Sequence, residues 1–309
     1  MKKYELTGES KQWLSRTLYR IKALRDIERY GVKAGDLGGW VEKEANLSHD
    51  GNAWVSDNAR VSDNARVSDN ARVSDNAQVF GDAWVSGDAR VSGNARVSGN
   101  AQVSGDAQVS GDARVFDDAQ VSDNARVFGD AQVFGNAWVS GNAQVSGNAR
   151  VFDNAWVSGD AWVFGNAWVF GDARVFDDAR VSGDAQVSGD VWVSGNARVS
   201  DDARVFGDVW VSDDAQVSGD ARVSGDAQVS GDARVSGNSD WCAITGFGSE
   251  HRATTAFKQK NGTIGVKCGC FYGTLEKFAQ KVEERHGNSK FGREYKAMIE
   301  ALKIHFEAA

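Results

Sequence analysis

The chain of 309 residues has no proline, three cysteines and four histidines, and none of its apolar runs approaches the length of a membrane span. Without about 18 consecutive apolar residues, no membrane-crossing helix is expected. The opening Met1-Lys2-Lys3-Tyr4-Glu5 leads into polar sequence, so no secretory leader is expected. Three cysteines, an odd number in a long chain, do not make a disulfide framework and point to a reducing, cytoplasmic compartment. The lack of proline excludes polyproline linkers and collagen. Large apolar residues are scarce as well: Val, Leu, Ile and Phe total 66. That is near the level at which chains stop packing a core, so any core here must be built economically.

What is present is a repeat, the feature to be sought first. From Val55 to Asn238 only ten residue types occur, with no Lys, Glu, Thr, Leu, Ile, Tyr, Cys or His. From Val55 to Val235 a valine stands at every sixth position, 31 in all, in the unit A-x-V-[SF]-[GD]-[DN]. Only Val191 and Val209 replace the alanine. Val41 and Leu47 continue the period upstream, and two extra residues enter before Val55. Ala and Val, two apart, face one side of a strand, and their neighbours face the other. Gly-Asp, Asp-Asn and Gly-Asn then supply turn chemistry. Such strands cannot bury their faces singly, so they coil and stack, about 4.8 Å apart.

The outward positions set the number of sides. Phe80, Phe116, Phe134, Phe152, Phe170 and Phe206 follow valines on one 18-residue lattice, while Phe128 and Phe164, and Phe176, fall on the other two. Trp84, Trp138, Trp156, Trp192 and Trp210 precede valines on another. Three hexads per coil explain both, giving about ten coils and a rod roughly 50 Å long. Its interior needs only Val and Ala, and a proline would break the ladder between coils.

The expected fold is mainly β: a three-sided parallel β-helix with an N-terminal β cap and a small C-terminal α+β domain. The divisions fall at residues 1–40 (cap), 41–240 (helix) and 241–309 (C-terminal domain). Tyr19, Ile21 and Ala23 alternate with Arg20 and Lys22, which predicts a capping strand over 17–24, paired with Tyr4–Thr7. Asn261-Gly262 predicts a hairpin between 253–260 and 263–268. Thr274 and Gly287 bound a helix over 275–286 with Leu275, Phe278, Ala279 and Val282 inward. A second helix over 290–306 presents Phe291, Tyr295, Met298, Ile299 and Leu302.

Val-Ser-Gly-Asp-Ala-Arg resembles the hexapeptide-repeat left-handed β-helix, and the left hand is implied by that resemblance alone. Val32-Lys33-Ala34-Gly35-Asp36-Leu37-Gly38-Gly39-Trp40-Val41 and Glu44-Ala45-Asn46-Leu47-Ser48 are similar to the opening of the YdcK-like hexapeptide-repeat proteins of bacteria and their phages. Cys268-Gly269-Cys270-Phe271-Tyr272-Gly273-Thr274-Leu275-Glu276-Lys277-Phe278 resembles a short module at the ends of phage and prophage proteins. These resemblances imply architecture and a setting in a bacterial or phage-infected cell. Hexapeptide-repeat proteins resemble one another in forming trimers, and many are acyltransferases.

Acyltransferase and zinc chemistry both call for histidines on the coils, and there are none between Val55 and Asn238. No catalytic residue and no cofactor is assigned, and an enzyme is the alternative reading. Cys242, His251, Cys268 and Cys270 are the candidate metal ligands, weighed against buried structural cysteines. A Cys–His nucleophile pair is a further alternative for this domain. The corner carboxylates are read as turn formers rather than calcium ligands, because Asn replaces Asp freely.

The aromatic lattices carry the functional expectation. Phe80, Trp84, Phe116, Phe134, Trp138, Phe152, Trp156, Phe170, Trp192, Phe206 and Trp210 would form a ridge beside one edge of the rod. A contiguous apolar strip marks an interface, and a homo-oligomer, dimer or trimer, is the expected partner. A protein partner for the C-terminal domain is also expected; membrane and nucleic acid are not. Residues 55–240 hold 14 Arg and 28 Asp, net -14, between ends of +2 and +4. An acidic decoy for a nucleic-acid-binding or defence protein is the third reading. Lys277, Lys281 and Arg285 form a basic stripe, read as a solvated face or a dock onto the acidic coils.

Overall fold

The computed structural model describes residues 2–307. The chain divides into two compact units, Met1–Asp160 and Ala161–Ala309.

In the first unit each hexad makes one short strand and one corner. Arg60–Val61, Arg66–Val67 and Arg72–Val73 lie on three successive faces, and the next coil repeats them 18 residues later. Face I runs from Trp54 through Arg72, Arg90, Gln108, Arg126 and Gln144, each pairing in parallel with the next. Face II runs from Arg60 through Gln78, Arg96, Arg114, Gln132 and Arg150. Face III runs from Arg66 through Trp84, Gln102, Gln120, Trp138 and Trp156. The alanines and valines of the hexads are buried throughout. Each buried valine contributes about 1.5–3 kcal/mol relative to exposure.

The corners explain the [GD]-[DN] grammar. The first corner residue has positive φ, +66° at Gly87 and +58° at Asp69. A Cβ on Gly87 would lie 2.8 Å from the Gly105 nitrogen of the next coil. Aspartate fits there by aiming its carboxylate at that neighbour: Asp69 Oδ2 accepts from Gly87 N at 3.1 Å, and Asp63 Oδ2 from Gly81 N at 3.2 Å. The second corner residue forms a side-chain ladder, with Asn64 donating to Asp82 at 3.0 Å and Asn94 to Asp112 at 2.8 Å.

The cap extends face II. Strand β3 (Leu37–Val41) pairs in parallel with Arg60–Val61. Strand β2 (Arg16–Ala23) pairs antiparallel with β3, and β1 (Tyr4–Trp13) with β2, placing Tyr4 opposite Ala23. One expectation is corrected. Leu18, not Tyr19, points inward with Ile21 and Ala23, while Tyr19 is exposed. A bulge between Arg20 and Lys22 shifts the register and reverses the alternation.

The two inserted residues enlarge the corner after Leu47. Register with the next coil is Val41 to Val61 before it and Val55 to Val73 after it. This corner seats the N-terminus. His49 Nδ1 accepts from Lys3 N at 3.2 Å, His49 Nε2 meets Glu44 Oε1 at 2.8 Å, and the Tyr4 ring stacks on His49 at 4.5 Å.

The second unit has three faces of its own, labelled by the same 18-residue register. Face I holds Trp162, Arg180, Arg198, Gln216 and Arg234; face II Trp168, Gln186, Arg204 and Arg222; face III Arg174, Trp192, Trp210 and Gln228. After the last coil a four-stranded antiparallel sheet, Trp241–Ile244, Thr254–Lys258, Ile264–Cys268 and Phe271–Thr274, carries helices α1 (Leu275–His286) and α2 (Lys290–Phe306). The strand Thr254–Lys258 covers the coil end: Thr255 Oγ1 accepts from Gln228 N at 2.9 Å, Lys260 N donates to Asp232 O at 2.9 Å, and Lys258 pairs with Asp240 at 2.7 Å. Thr274 caps α1 through Lys277 N, and the core joins Leu275, Phe278, Val282, Tyr295, Met298, Ile299 and Leu302. Phe291 lies outside that core, half-exposed beside Lys290. The Asn261-Gly262 turn is wider than a two-residue hairpin, since Gln259 N donates to Thr263 O. Among the described residues, no helix is long and apolar enough to cross a membrane.

Candidate interaction surface

Face III carries Trp84, Trp138, Trp156, Trp192 and Trp210, while Trp54 and Trp162 stand on face I and Trp168 on face II; the hexad puts the residue before each valine outward and the 18-residue coil stacks like positions. Trp138 and Trp156 stack at 5.1 Å and 6° in the first unit, and Trp192 and Trp210 at 5.2 Å and 5° in the second. Phe116, Phe134 and Phe152 stack at the trailing end of face II, at 4.8 and 4.9 Å. Phe80 instead meets Trp13 of the cap, ring centroids 6.0 Å apart. Phe206 is exposed on face II of the second unit, and Phe170 is half-buried there.

The single ridge expected from the sequence resolves into two kinds of column. The indoles lean away from the phenylalanines and across their own face. Trp84 Nε1 donates to Ser68 Oγ and Trp138 Nε1 to Ser122 Oγ, both at 3.1 Å, and Trp156 Nε1 to Ser140 Oγ at 3.3 Å. Each acceptor stands 16 residues earlier, at the far end of the preceding strand. For Trp192 that place is taken by Phe176, whose ring meets the indole edge-on at 5.8 Å. The offset of 16 is legible in the sequence once the coil length is known.

Charge distinguishes the faces further. In the first unit, face III from Trp84 to Trp156 offers Trp, Gln, Gln, Trp and Trp, with no arginine. Face II places arginine at Arg60, Arg96, Arg114 and Arg150, and face I at Arg72, Arg90 and Arg126. Depletion of charge with enrichment in aromatics is the compositional mark of an interface core. Trp84, Trp138, Trp156 and Trp210 are each more than a third exposed.

Residues 53–87, 89–105, 107–132, 143–159, 173–189, 197–213 and 215–239 match the family described as the YdcK beta solenoid repeat. Over those residues the coils match the YdcK β-solenoid repeat. None of the curated proteins compared with the chain matches it. The YdcK repeat accounts for the coils, while the aromatic columns are a feature of which residues fill its outward positions.

The cysteines and histidine weighed as metal ligands stand on separate segments, Cys242 and Cys268 on different strands and His251 and Cys270 outside them. Among the described residues, no three His, Cys, Asp or Glu side chains come together to hold a metal. Cys242 and Cys268 pack on the C-terminal core, their strands separated by Thr254–Lys258. Two strand spacings, roughly 10 Å, exceed disulfide reach. Burial pushes the Cys242 thiol pKa up. Cys268 Sγ accepts from Thr254 Oγ1 at 3.1 Å, and burial, with Cys268 beside it, pushes the Tyr295 hydroxyl pKa up. Cys270 is exposed, and His251 Nδ1 lies 3.1 Å from Gly246 O.

A cavity of about 710 Å³ opens beside Cys268 and Cys270, with Arg252, Lys281, Arg285, His286 and Tyr295 in its lining. Sequence reading missed this grouping because its members come from a loop, a strand end and two helices. Lys281 and Arg285 of the basic stripe border this cavity, and Lys281 pairs with Glu284 of its own helix at 2.7 Å.

Proposed function

We propose that the chain is a non-enzymatic structural or interaction protein, a β-solenoid scaffold of phage or prophage relation that self-associates through face III. The observation that carries this reading is the arginine-free run Trp84, Gln102, Gln120, Trp138 and Trp156 on one face, beside faces that bear arginine regularly. An exposed aromatic column with neutral neighbours gains from being covered, and a second copy presents the same coil repeat to cover it. The phage setting rests on the resemblance of residues 32–48 and 268–278, and the cytoplasmic one on cysteine usage.

The test is sedimentation of the full chain with Trp138, Trp156, Trp192 and Trp210 changed together to Ser. The parent is expected to sediment as a dimer or trimer and the variant as a monomer. An oligomer unchanged by the four substitutions sinks the reading.

A further inference from the structure

The C-terminal cavity combines an aromatic floor with a charged rim. Its floor is apolar and aromatic: Phe271 packs on Phe278 at 5.2 Å, and Phe278 meets Tyr295 edge-on at 5.8 Å. The wall is fixed. Gly248 has φ +77°, and a Cβ there would fall 2.1 Å from the Tyr295 ring, so only glycine lets the loop close over it. Glu294 holds that loop by accepting from Gly248 N at 3.0 Å.

The rim carries an unspent positive charge. Glu250 is matched by Arg252 at 3.6 Å and Glu284 by Lys281 at 2.7 Å. Arg285 is left over: among the described residues its guanidinium makes no ion pair or hydrogen bond. It stands close enough to oppose, by its charge, the upward shift that burial gives the Tyr295 hydroxyl. His286, next to it, lays its ring against Tyr295 at 5.4 Å. A volume of about 710 Å³ suits a small ligand.

We infer that this cavity binds an aromatic oxyanion, its ring on the Phe271–Phe278–Tyr295 floor and its carboxylate, sulfonate or phosphate on Arg285. A guanidinium with free donors is the side chain best matched to a planar or branched oxyanion. The inference is independent of self-association, since face III contributes nothing to the lining.

The chain carries its own reporters, for Cys268 and Cys270 line the cavity and Cys242 does not. The probe is 1-naphthoate, titrated calorimetrically into the full chain, with iodoacetamide labelling of each thiol followed by mass spectrometry. One saturable site is expected, with labelling of Cys268 and Cys270 slowed and that of Cys242 unchanged. Arg285→Gln, on an exposed position, is expected to weaken binding about tenfold, the worth of one charge-assisted pair. The neutral 1-naphthamide is expected to bind more weakly by a similar factor. No saturable binding at millimolar probe, equal slowing at Cys242, or an Arg285→Gln protein that binds as the parent does would each overturn the inference.

Discussion

A corner residue in this repeat must satisfy two neighbours at once, its own turn and the coil that follows. Glycine does so by having no Cβ, and aspartate by converting the close approach into a hydrogen bond. Alanine does neither. Gly87→Ala is therefore expected to lower stability by about 2 kcal/mol, through positive φ and the contact with Gly105. Asp69→Gly, which loses the bond to Gly87 and an exposed one from Ser68 Oγ at 3.3 Å but keeps the positive φ unstrained, should cost less than about 1 kcal/mol. Comparison of the two urea midpoints checks the order. The second corner position makes the opposite demand. Asp190, Asp208 and Asp226 follow one another at coil spacing in the second unit, where Asn–Asp pairs elsewhere donate and accept. Asp208→Asn is expected to raise the melting temperature slightly, by removing like-charge neighbours worth a few tenths of a kcal/mol. An unchanged or lower value would mean that the column is already neutralised by something else. The repeat made the turn chemistry readable, but not the division of labour between the two positions. That needed the hydrogen bonds between coils, which connect residues 18 apart.

Among elements, the cap differs most from the regular coils, and its lysines report on it. Lys3 is buried, and that burial, reinforced by Arg25 and opposed by Asp50, lowers its pKa to about 8. Lys11 lies 4.0 Å from the Trp40 ring centroid, and desolvation with the charges of Arg60 and Arg20 lowers it to about 8 as well, against Glu9. Both lysines bind protons more tightly in the unfolded chain. Stability of the cap is thus expected to rise with pH from about 8 to about 10, then to fall as unfolded Tyr4 ionises, because burial holds the folded phenol above its ordinary value. Melting curves at pH 7.5 and 9.5 check this, and Lys3→Met should flatten the rise. The coil element supports a second expectation. Removing 18 residues, such as 99–116, keeps every column on its face, whereas removing six moves all later columns to the next face. The first deletion should retain a cooperative melt close to the parent, and the second should lower it. The hexad pattern gave strands, corners and coil length before any coordinates. It could not give the side on which Tyr19 falls, because the bulge at Arg20 and Lys22 lies in non-repeating sequence. Helices α1 and α2 were legible from their caps and apolar spacing, but not the cavity at their end, which depends on four separate segments.

For the molecule as a whole, the acidic excess of the repeats and the basic excess of the ends say less than the distribution of arginine among faces. Arginine and glutamine occupy the same outward position, so exchanging one for the other leaves the buried alanine–valine interior untouched. That makes the central claim, self-association through face III, testable without removing an aromatic residue. The measurement is sedimentation equilibrium of Gln102→Arg/Gln120→Arg, on exposed face III positions, beside Gln78→Arg/Gln132→Arg on face II. The two variants carry the same added charge. The account predicts a monomer for the face III pair, by burying unpaired like charges in the interface, and the parental oligomer for the face II pair. A parent that is monomeric at every concentration, or two variants that behave alike, would contradict it.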